Sequence, residues 1–318
     1  MEPRITHLFD CADVGGTLVR EARRQDLPWR YVPGLADVPR RKYVGDYYVW
    51  TGRRIASLLR SDLLHLHYGG RTAWARKFPR RPYVVHLHGT DIRTQYRDPR
   101  YRDEIQQGLD GARAVVFSTP DLADAALEAR PDATYLPNPI DVSDLPQWAP
   151  ADRPTVVFTS RWEPVKGLDC QLKIARLLRE ALPNSVDIVG LDWGEGAKAA
   201  ARAGVRLVPP MPRPAFLAWV ASAHLAVGQS AGLLAMSELQ ALGIGVPTFI
   251  AHPLPTYPAP PVLIGDLGDA GDIARHVIAD PAARSAALNS PAWIRKHHGV
   301  EHAVARLRGI YRAALGGE

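Results

Sequence analysis

Short runs of apolar residues recur along the chain, and most are followed by a segment whose apolar positions repeat at helical spacing. The predicted strands of the first half are Ile5–Phe9, Trp29–Val32, Leu63–His67, Tyr83–His88, Ala114–Phe117 and Thr134–Leu136. Those of the second half are Thr155–Thr159, Val186–Val189, Val205–Val208, Leu225–Val227, Pro247–Ile250 and Val262–Ile264. Strands that are apolar on both faces and alternate with helices predict parallel sheets covered on both sides.

Predicted helices fill the intervals between these strands. In the first half they are Val44–Arg60, Pro99–Leu109 and Pro120–Arg130. In the second half they are Leu168–Ala181, Ala197–Ala203, Pro214–Ala221, Leu233–Leu242 and Gly271–Ala279, and a last helix, His302–Leu315, follows the final strand. The alternation predicts an α/β fold that is built from two doubly wound halves.

The two halves are separated by Asn138–Arg153, a proline-rich stretch that is typical of linkers. A length of 318 residues also suggests two domains at roughly 150 residues each. We predict a Rossmann-like domain over residues 1–148 and a second over residues 149–318, with the last helix able to pack on either. Because ligands of such domains bind at the carboxyl ends of the strands, we expect a cleft between the domains and chemistry in the strand-to-helix loops.

Composition narrows the class of protein. Hydrophobic residues make up 46% and charged residues 23%, which is typical of a globular protein, and two cysteines do not imply a disulfide framework. No apolar run is long enough for a membrane span, and the first residues do not resemble a signal peptide, so we expect a soluble cytoplasmic protein. The net charge of +6 divides evenly between the halves without a basic arm, which argues against nucleic-acid binding.

A glycine pair follows the first predicted strand, in the loop Asp13–Thr17. Gly15 and Gly16 let the backbone approach a ligand closely. A loop that contacts phosphate or substrate is one interpretation, and a plain tight turn is the other. The chain contains neither GxGxxG nor GxxxxGK followed by Ser or Thr, which weakens the case for a dinucleotide-dependent dehydrogenase or a P-loop ATPase.

Histidines stand at the ends of two predicted strands. His88 lies at the carboxyl end of its strand and shares a face with His86, and His65 with His67 repeats the pattern earlier in the chain. Four histidines on nearby strands can suggest zinc, but neighbouring positions on one strand rarely surround one ion. We therefore interpret His65, His67 and His86 as buried, hydrogen-bonded residues and His88 as functional, and we expect no metal site.

Two loops of the second half suit an anionic ligand. Arg161 and Lys166 can converge on a diphosphate leaving group, whose developing charge needs fixed positive partners; the alternative is two solvated surface cations. Gly232 precedes a helix that is predicted to begin near Leu233, where the N–H groups of a first turn can bind phosphate. Glu238 on that helix can accept hydrogen bonds from ribose hydroxyls, or it is simply exposed.

Taken together, these loops resemble the retaining glycosyltransferases of family 4, which have the GT-B fold of two facing Rossmann-like domains. The motifs that occur in the order of the family are His88–Asp91, Asn138–Asp141, Arg161 with Lys166, and Ser230–Pro247. The resemblance extends over nearly the whole chain. It is nearest to the enzymes that glycosylate malate in bacillithiol synthesis, because His86–Asp91 and Ser118–Leu122 are similar to their sequences.

The resemblance implies a nucleoside-diphosphate sugar, UDP- or GDP-linked, as co-substrate, with neither a cofactor nor a metal. It implies catalytic roles for His88, Arg161 and Lys166. The residues implied in donor binding are Gly15, Gly16, Asn138, Gly190, Pro210, Ser230, Gly232, Leu233, Leu234 and Glu238, the last of them at the ribose. In the first domain, we expect an acceptor at Tyr68, Arg71 and Arg93.

The expected activity is sugar transfer with retention, by front-face displacement, to a small polar acceptor. Specialised-metabolite biosynthesis, antibiotic-like or with a thiol or thione acceptor, is the expected setting. Neither nucleic acid nor a membrane is expected as a partner, and a homodimer is left open. A non-catalytic sugar-nucleotide binding protein and a nucleotide-sugar epimerase of similar fold are the alternatives.

Ser230 departs from the pattern of the family, which has two glutamates separated by seven residues. Glu238 matches the second glutamate, and Ser230 stands at the position of the first. The missing carboxylate normally binds hydroxyls of the donor sugar, and a hydrogen bond to a charged group contributes roughly 1.5–3 kcal/mol. We therefore predict an unusual donor, namely a deoxy-, amino- or higher-carbon sugar.

If the donor lacks those hydroxyls, a carboxylate at position 230 has nothing to bind. We expect the substitution Ser230→Glu to bring no increase in turnover with the natural donor, measured as release of the nucleoside diphosphate. A large gain in turnover would contradict the prediction of an unusual donor sugar.

Overall fold

The computed structural model describes residues 2–32, 44–75 and 80–316. Its contacts divide the chain into two compact units. The first unit comprises Met1–Pro139 and His298–Glu318, and the second comprises Ile140–His297. Each unit has its own parallel sheet and its own hydrophobic core, so the two are described in turn.

The first unit contains a six-stranded parallel sheet. Its strands are β1 (Ile5–Leu8), β2 (Trp29–Val32), β3 (Leu63–His67), β4 (Tyr83–Leu87), β5 (Ala114–Phe117) and β6 (Thr134–Tyr135), in the order β2-β1-β3-β4-β5-β6. Its first helices are α1 (Val14–Arg24), α2 (Val44–Leu59), α3 (Pro99–Asp110) and α4 (Ala123–Ala129). The winding direction reverses between β1 and β3, and loops diverge at such a switch point and leave room for ligands.

The second unit contains another six-stranded parallel sheet. Its strands are β7 (Thr155–Phe158), β8 (Asp187–Leu191), β9 (Arg206–Val208), β10 (Leu225–Val227), β11 (Thr248–Ile250) and β12 (Leu263–Ile264), in the order β12-β11-β10-β7-β8-β9. The helices are α5 (Leu168–Ala181), α6 (Ala197–Arg202), α7 (Arg213–Ala221), α8 (Met236–Ile244), α9 (Ala270–Ala279), α10 (Pro281–Leu288) and α11 (Ser290–His298). Its switch point lies between β7 and β10.

The last helix, α12 (Val300–Ala314), returns to the first unit, where it packs beside α1. The two faces of the first sheet differ in chemistry because side chains alternate along each strand. One face is aliphatic and packs against α3 and α4; it includes Leu64, Leu66, Val85 and Leu87. The opposite face carries buried histidines, and the side chain of Tyr311 from α12 lies against them.

The predicted α/β fold class is confirmed, and all twelve predicted strands are present, each within two residues of its expected ends. Three helices, α1, α10 and α11, have no counterpart in the sequence prediction. The predicted loop Asp13–Thr17 was wrong, because Gly15 and Gly16 lie in the first turn of α1. The predicted start of α8 near Leu233 was also wrong, because this helix begins at Met236.

The two units join in sequence between Pro139 and Ile140, nine residues before the boundary that the proline-rich stretch predicts after residue 148. The residues that follow the join take part in the packing of the second unit. Ile140 belongs to a buried cluster with Leu239, and the indole N–H of Trp148 donates a hydrogen bond to the carbonyl oxygen of Ala223 at 2.8 Å. Among the described residues, no helix combines the length and the apolar character that crossing a membrane requires.

Gly190 in β8 provides space for a buried indole. A Cβ atom at this position would lie 2.7 Å from a ring carbon of Trp162, which is fully buried and donates its Nε1–H to the carbonyl oxygen of Leu191 at 2.9 Å. The tight contact explains why a strand in the middle of a core contains glycine.

We expect Gly190→Ala to destabilise the chain by about 1–3 kcal/mol, because overpacking of a rigid core displaces side chains and backbone. Chemical denaturation measures the loss. The matched control is Gly268→Ala, where a Cβ atom meets nothing within 4 Å and little change is expected. Equal stability of the two variants would contradict the packing role of Gly190.

Candidate functional sites

Backbone strain is concentrated at the carboxyl edge of the first sheet, beside its switch point. After β1, Phe9, Ala12 and Asp13 have positive φ angles of 61°, 52° and 64°. After β3, Tyr68 has a φ angle of 104°, which is a rare conformation for an aromatic residue. Strained residues of this kind cluster at functional sites, so the loops after β1 and β3 form a candidate site.

Asp10 binds the glycine amides that the sequence analysis assigned to a donor. Its carboxylate accepts hydrogen bonds from the backbone N–H of Gly15 at 2.8 Å and of Gly16 at 3.2 Å. An acidic side chain thus occupies the N-terminus of α1, the position where a helix attracts anions. Burial raises the pKa of Asp10, and these amides act against that rise.

Asp91 organises the loop in which His88 lies. It is fully buried, and its carboxylate accepts hydrogen bonds from the backbone N–H groups of His88, Gly89, Ile92 and Gly69 at distances of 2.8–3.2 Å. Gly69 follows β3, so Asp91 ties the loops after two neighbouring strands together. Burial raises the pKa of Asp91, and the backbone donors act in the opposite direction.

Five histidines and a tyrosine form one continuous hydrogen-bonded series in the first unit. Its members, in bonding order, are His88, His67, His7, Tyr311, His65 and His86, and we call this series the imidazole chain. The bonded pairs are His88 Nε2 with His67 Nδ1 at 3.0 Å, His67 Nε2 with His7 Nδ1 at 3.0 Å, His7 Nε2 with Tyr311 Oη at 3.4 Å, Tyr311 Oη with His65 Nδ1 at 2.5 Å, and His65 Nε2 with His86 Nδ1 at 3.2 Å.

The imidazole chain agrees with the interpretation of His65, His67 and His86 as buried, hydrogen-bonded residues. Sequence reasoning missed His7 and Tyr311. Two triples, His7-His65-His67 and His67-His86-His88, bring ring nitrogens within 4.8 Å of one another, a spacing that a metal ion could use. However, His7 stacks on His65 at 12° and His86 on His88 at 28°. Stacked rings direct their lone pairs along parallel planes rather than towards one ion, so the geometry favours hydrogen bonding.

Burial keeps the imidazole chain neutral. It lowers the pKa of His7 and of His88 to about 3, and it holds the pKa values of His65, His67 and His86 well below their usual range. The phenol of Tyr311 is also neutral, because burial raises its pKa well above the ordinary value. A neutral imidazole has one N–H donor and one acceptor nitrogen.

The predicted acceptor residues lie in loops at the same edge of the first sheet. Tyr68 directly follows β3, and burial raises its pKa to about 12. Arg71 is exposed, and its guanidinium carbon lies 5.9 Å from the centre of the Phe9 ring. Arg93 forms an ion pair with Asp121. Asn138, predicted to bind the donor, is buried, and its Oδ1 atom has no hydrogen-bond partner among the described residues.

In the second unit, Glu238 at the start of α8 is fully buried rather than exposed. Its carboxylate accepts hydrogen bonds from the backbone N–H groups of Ala235 and Gln229 and from the hydroxyls of Thr159 and Ser237, at 2.9–3.2 Å. Oε1 takes three of these donors and Oε2 takes one. Because a carboxylate has about four acceptor sites, little capacity remains for the ribose hydroxyls that the sequence analysis assigned to it.

Buried side-chain oxygens without partners lie at the switch point of the second sheet. They are Oγ of Ser230, Oε1 of Gln229 and Oε1 of Gln171, and each side chain is at least nine-tenths buried. Gln171 donates its Nε2–H to Ser160 Oγ at 2.5 Å. Buried polar atoms are seldom left unpaired in native proteins, so these oxygens mark a candidate ligand site. Sequence reasoning missed Gln171 and Gln229.

The loops after β7 and β10 are held together next to these oxygens. The backbone N–H of Ser230 donates to the carbonyl oxygen of Lys166 at 3.0 Å. Gly167 has a φ angle of 75°, and a Cβ atom there would lie 2.4 Å from the carbonyl oxygen of Ser230. This close approach of the two loops holds the backbone of Lys166 beside Ser230. The two residues are therefore near enough to contribute to one ligand site.

Arg161 lies at the same edge of the sheet. Its guanidinium pairs with Glu163 at 3.1 Å and lies 5.2 Å from the ring centre of Trp193, an indole that is 48% exposed in the loop after β8. Ion pairs with solvent access contribute little free energy, so the pair with Glu163 can open to accept an anion. Trp193 offers a flat apolar face beside that cation.

The remaining predicted donor residues have varied surroundings. Gly190 is buried against Trp162 in β8, whereas Pro210 is exposed after β9. Gly232 has a φ angle of 72° and open space where a Cβ would lie. Leu233 and Leu234 precede α8 instead of forming its first turn, and the backbone N–H of Leu234 donates to the hydroxyl of Tyr257 at 3.2 Å.

Residues 7–144 match the family model described as Glycosyltransferase Family 4, which is about two fifths of the chain. No curated protein matches the chain. The more specific resemblance to bacillithiol-type enzymes therefore stays a prediction.

Solved structures share the fold over almost the whole chain. Sucrose-phosphate synthase from Thermosynechococcus elongatus is similar at 14% identity and a TM-score of 0.64, with 98% of this chain and 99% of that one covered. A trehalose-6-phosphate synthase is similar at 10% identity and a TM-score of 0.66, with 97% of this chain and 99% of that one covered. A protein described as a putative UDP-N-acetylglucosamine 2-epimerase from Listeria monocytogenes is similar at 12% identity and a TM-score of 0.62, with 99% of this chain and 97% of that one covered. The α/β fold is thus that of the GT-B glycosyltransferases.

The neutral imidazole chain makes folding sensitive to acid. His7 has a pKa of about 3 in the folded chain and about 6.5 when unfolded, so the unfolded state binds its proton first as the pH falls. The stability from this group is complete above pH 6.5 and is lost towards pH 3, at about 1.4 kcal/mol per pH unit. The other four histidines act in the same direction, whereas Asp10 and Asp91 act in the opposite one.

We expect the free energy of unfolding, measured with urea, to fall by at least about 1.4 kcal/mol between pH 7.5 and pH 5.5. The exposed His276 provides a control, because His276→Asn leaves the imidazole chain intact and preserves this pH dependence. An unchanged unfolding free energy across the range would contradict neutral burial of the histidines.

Proposed function

We propose that this protein transfers a sugar, with retention of configuration, from a nucleoside diphosphate to a small polar acceptor. The observation that supports the donor site is the set of unpaired oxygens of Ser230, Gln229 and Gln171 at the switch point of the second sheet. Hydroxyl groups of a nucleotide sugar would donate to the two amide oxygens. The family match over residues 7–144 and the fold support the same class of reaction.

The proposed reaction needs stabilisation of a departing diphosphate. Arg161 supplies a planar set of donors, and Lys166 supplies a compact charge beside Ser230. The acceptor hydroxyl or thiol attacks the sugar on the face from which diphosphate leaves, and a leaving phosphate oxygen takes its proton. Fixed cations at the place where charge develops are an effective way to lower such a barrier.

Glu238 is proposed here to position Gln229, whose backbone N–H it binds. Because Oε2 accepts a single hydrogen bond within the protein, the proposed ribose contact is one hydroxyl bonded to Oε2. Because Ser230 replaces a carboxylate, the donor is proposed to carry a deoxy-, amino- or higher-carbon sugar, as in specialised metabolites. Tyr68, Arg71 and Arg93 are the proposed acceptor residues in the first unit. UDP or GDP is the proposed leaving group.

Ser230→Ala provides a sharp test of the donor site, because the Ser230 hydroxyl has no protein partner among the described residues. Its removal costs the free protein no hydrogen bond, while a bound ligand loses one. We expect the melting temperature of the free protein to stay the same. Loss of one hydrogen bond of about 0.5–1.5 kcal/mol would raise the dissociation constant of the bound nucleotide sugar roughly two- to ten-fold.

The measurement is a thermal-shift titration with UDP, GDP, TDP and ADP, followed by titration and incubation with sugars linked to the diphosphate that binds. Ser118→Ala is the matched control, because the Ser118 hydroxyl is equally buried and unpaired but lies after β5 in the first unit. No stabilisation by any of the four diphosphates would contradict the proposal. Conversion of the donor sugar without any acceptor would favour an epimerase, and binding without any product would favour a sensor.

A further inference from the structure

The protons of the imidazole chain are coupled, because each neutral imidazole donates one hydrogen bond and accepts one. The Tyr311 hydroxyl carries one proton but can accept hydrogen bonds from both of its neighbours. Three arrangements therefore satisfy the five bonds between His88 and His86. In the first, every imidazole carries its proton on Nδ1, and in the second every imidazole carries it on Nε2. In the third, His7 Nε2 and His65 Nδ1 both donate to the Tyr311 oxygen, and the Tyr311 proton has no acceptor among the described residues.

Buried donors without partners distinguish among the three arrangements. His86 Nε2 is buried and has no partner among the described residues. A proton on this atom would create an orphaned N–H donor, whereas a proton on Nδ1 leaves only an unused acceptor. Buried N–H groups without partners are rarer in proteins than under-used acceptors. The third arrangement leaves the fully buried Tyr311 O–H without an acceptor, and an unpaired buried donor is costly. The arrangement with all protons on Nδ1 is therefore favoured.

The outer end of the imidazole chain is His88, at the carboxyl edge of the first sheet. Its Nε2 atom is bonded to His67, and its Nδ1 atom has no hydrogen-bond partner in the described part of the chain. His88 is only partly buried, unlike the other four histidines. In the favoured arrangement, the edge of the sheet therefore presents an N–H donor that is fixed in direction by its backbone bond to Asp91 and its ring bond to His67.

We propose that the imidazole chain locks His88 in the tautomer protonated on Nδ1, and that His67, His7 and Tyr311 are positioning residues for that donor. The importance of the His88 Nδ1–H group for sugar transfer rests on the proposed function, but the fixed tautomer of His88 does not. A fixed N–H suits an oxygen acceptor on a ligand, such as a sugar hydroxyl or a phosphate oxygen. A proton cannot leave through the other end, because His86 Nε2 has no partner to receive it. The imidazole chain therefore fixes the tautomer of His88 and does not conduct protons.

Tyr311 is the sensitive link, since its hydroxyl joins the two halves of the imidazole chain. Tyr311→Phe removes this one oxygen and leaves His67, His7 and His88 connected only to one another. Trp29→Phe is the matched control. Its ring lies 5.5 Å from His7 and 5.0 Å from Tyr311, and its Nε1 atom takes part in no hydrogen bond of the imidazole chain.

The experiment is nitrogen-15 NMR of the full chain with labelled histidine, in the absence of any nucleotide, with the His88 signals assigned by comparison with His88→Gln. In the natural protein and in Trp29→Phe, we expect His88 to show a protonated Nδ1 and an unprotonated Nε2. In Tyr311→Phe, we expect both shifts to move towards the averaged values of mixed tautomers. If half of the molecules then hold the other tautomer, the competent fraction and the transfer rate fall about two-fold.

Three NMR results would contradict a fixed tautomer of His88. They are a proton on Nε2 of His88 in the natural protein, averaged shifts in the natural protein, and unchanged His88 shifts in a Tyr311→Phe variant that melts cooperatively. Stoichiometric zinc or copper in the purified protein, found by elemental analysis, would overturn it as well. The first two results need no variant, so misfolding of Tyr311→Phe does not leave the proposal untested. Because no nucleotide is present, a failure of the proposed sugar transfer does not alter the NMR result.

Discussion

Backbone N–H groups at the carboxyl ends of parallel strands must find acceptors, and side-chain carboxylates supply many of them in this protein. Asp91 binds four such groups after β3 and β4, Glu238 binds two before and at the start of α8, and Asp10 binds two in α1. An unpaired buried donor costs about 1–3 kcal/mol. These carboxylates therefore determine which loop conformations are possible.

The fixed loops give the two sheet edges different chemistry. In the first unit, the anchored loops sustain positive φ angles at Phe9 and Tyr68, and the edge ends in a neutral imidazole. In the second unit, the edge combines two cations with unpaired amide and hydroxyl oxygens. A neutral N–H group can bind an oxygen of a sugar or of the acceptor substrate. Cations beside oxygens that accept hydrogen bonds from hydroxyl groups suit a diphosphate and the sugars attached to it. Neither edge owes its character to the overall charge of +6.

The inner strands could be predicted from the sequence because both of their faces are buried, so most of their residues are apolar. The edge strands β2, β6, β9 and β12 are partly exposed, and the alternation with helices indicated them. Helix α1 could not be predicted, because Gly15 and Gly16 indicate a turn unless the carboxylate of Asp10 is known to cap them. The helices α10 and α11 carry only weak periodicity and follow the last strand. The join between the units was placed too late, because the packing of Ile140 depends on contacts that are distant in sequence.

The candidate sites were only partly predictable, because pairing is a property of the folded chain. Sequence pattern indicated His88, Arg161 and Lys166 from their positions after strands. It could not show that Glu238 uses its oxygens on nearby donors, or that Gln171 and Gln229 keep an oxygen unpaired. His7 was missed, since a single histidine in a four-residue strand carries no signal until β1 lies beside β3.

A crystal structure with the nucleotide sugar whose diphosphate stabilises the protein would show whether the donor binds at the carboxyl edge of the second sheet. We expect phosphate oxygens against Arg161 and Lys166, and a hydrogen bond from the sugar part of the ligand to the Ser230 hydroxyl. Nucleotide bound against the strands of the first sheet, or anywhere away from the β7 and β10 loops, would contradict this expectation.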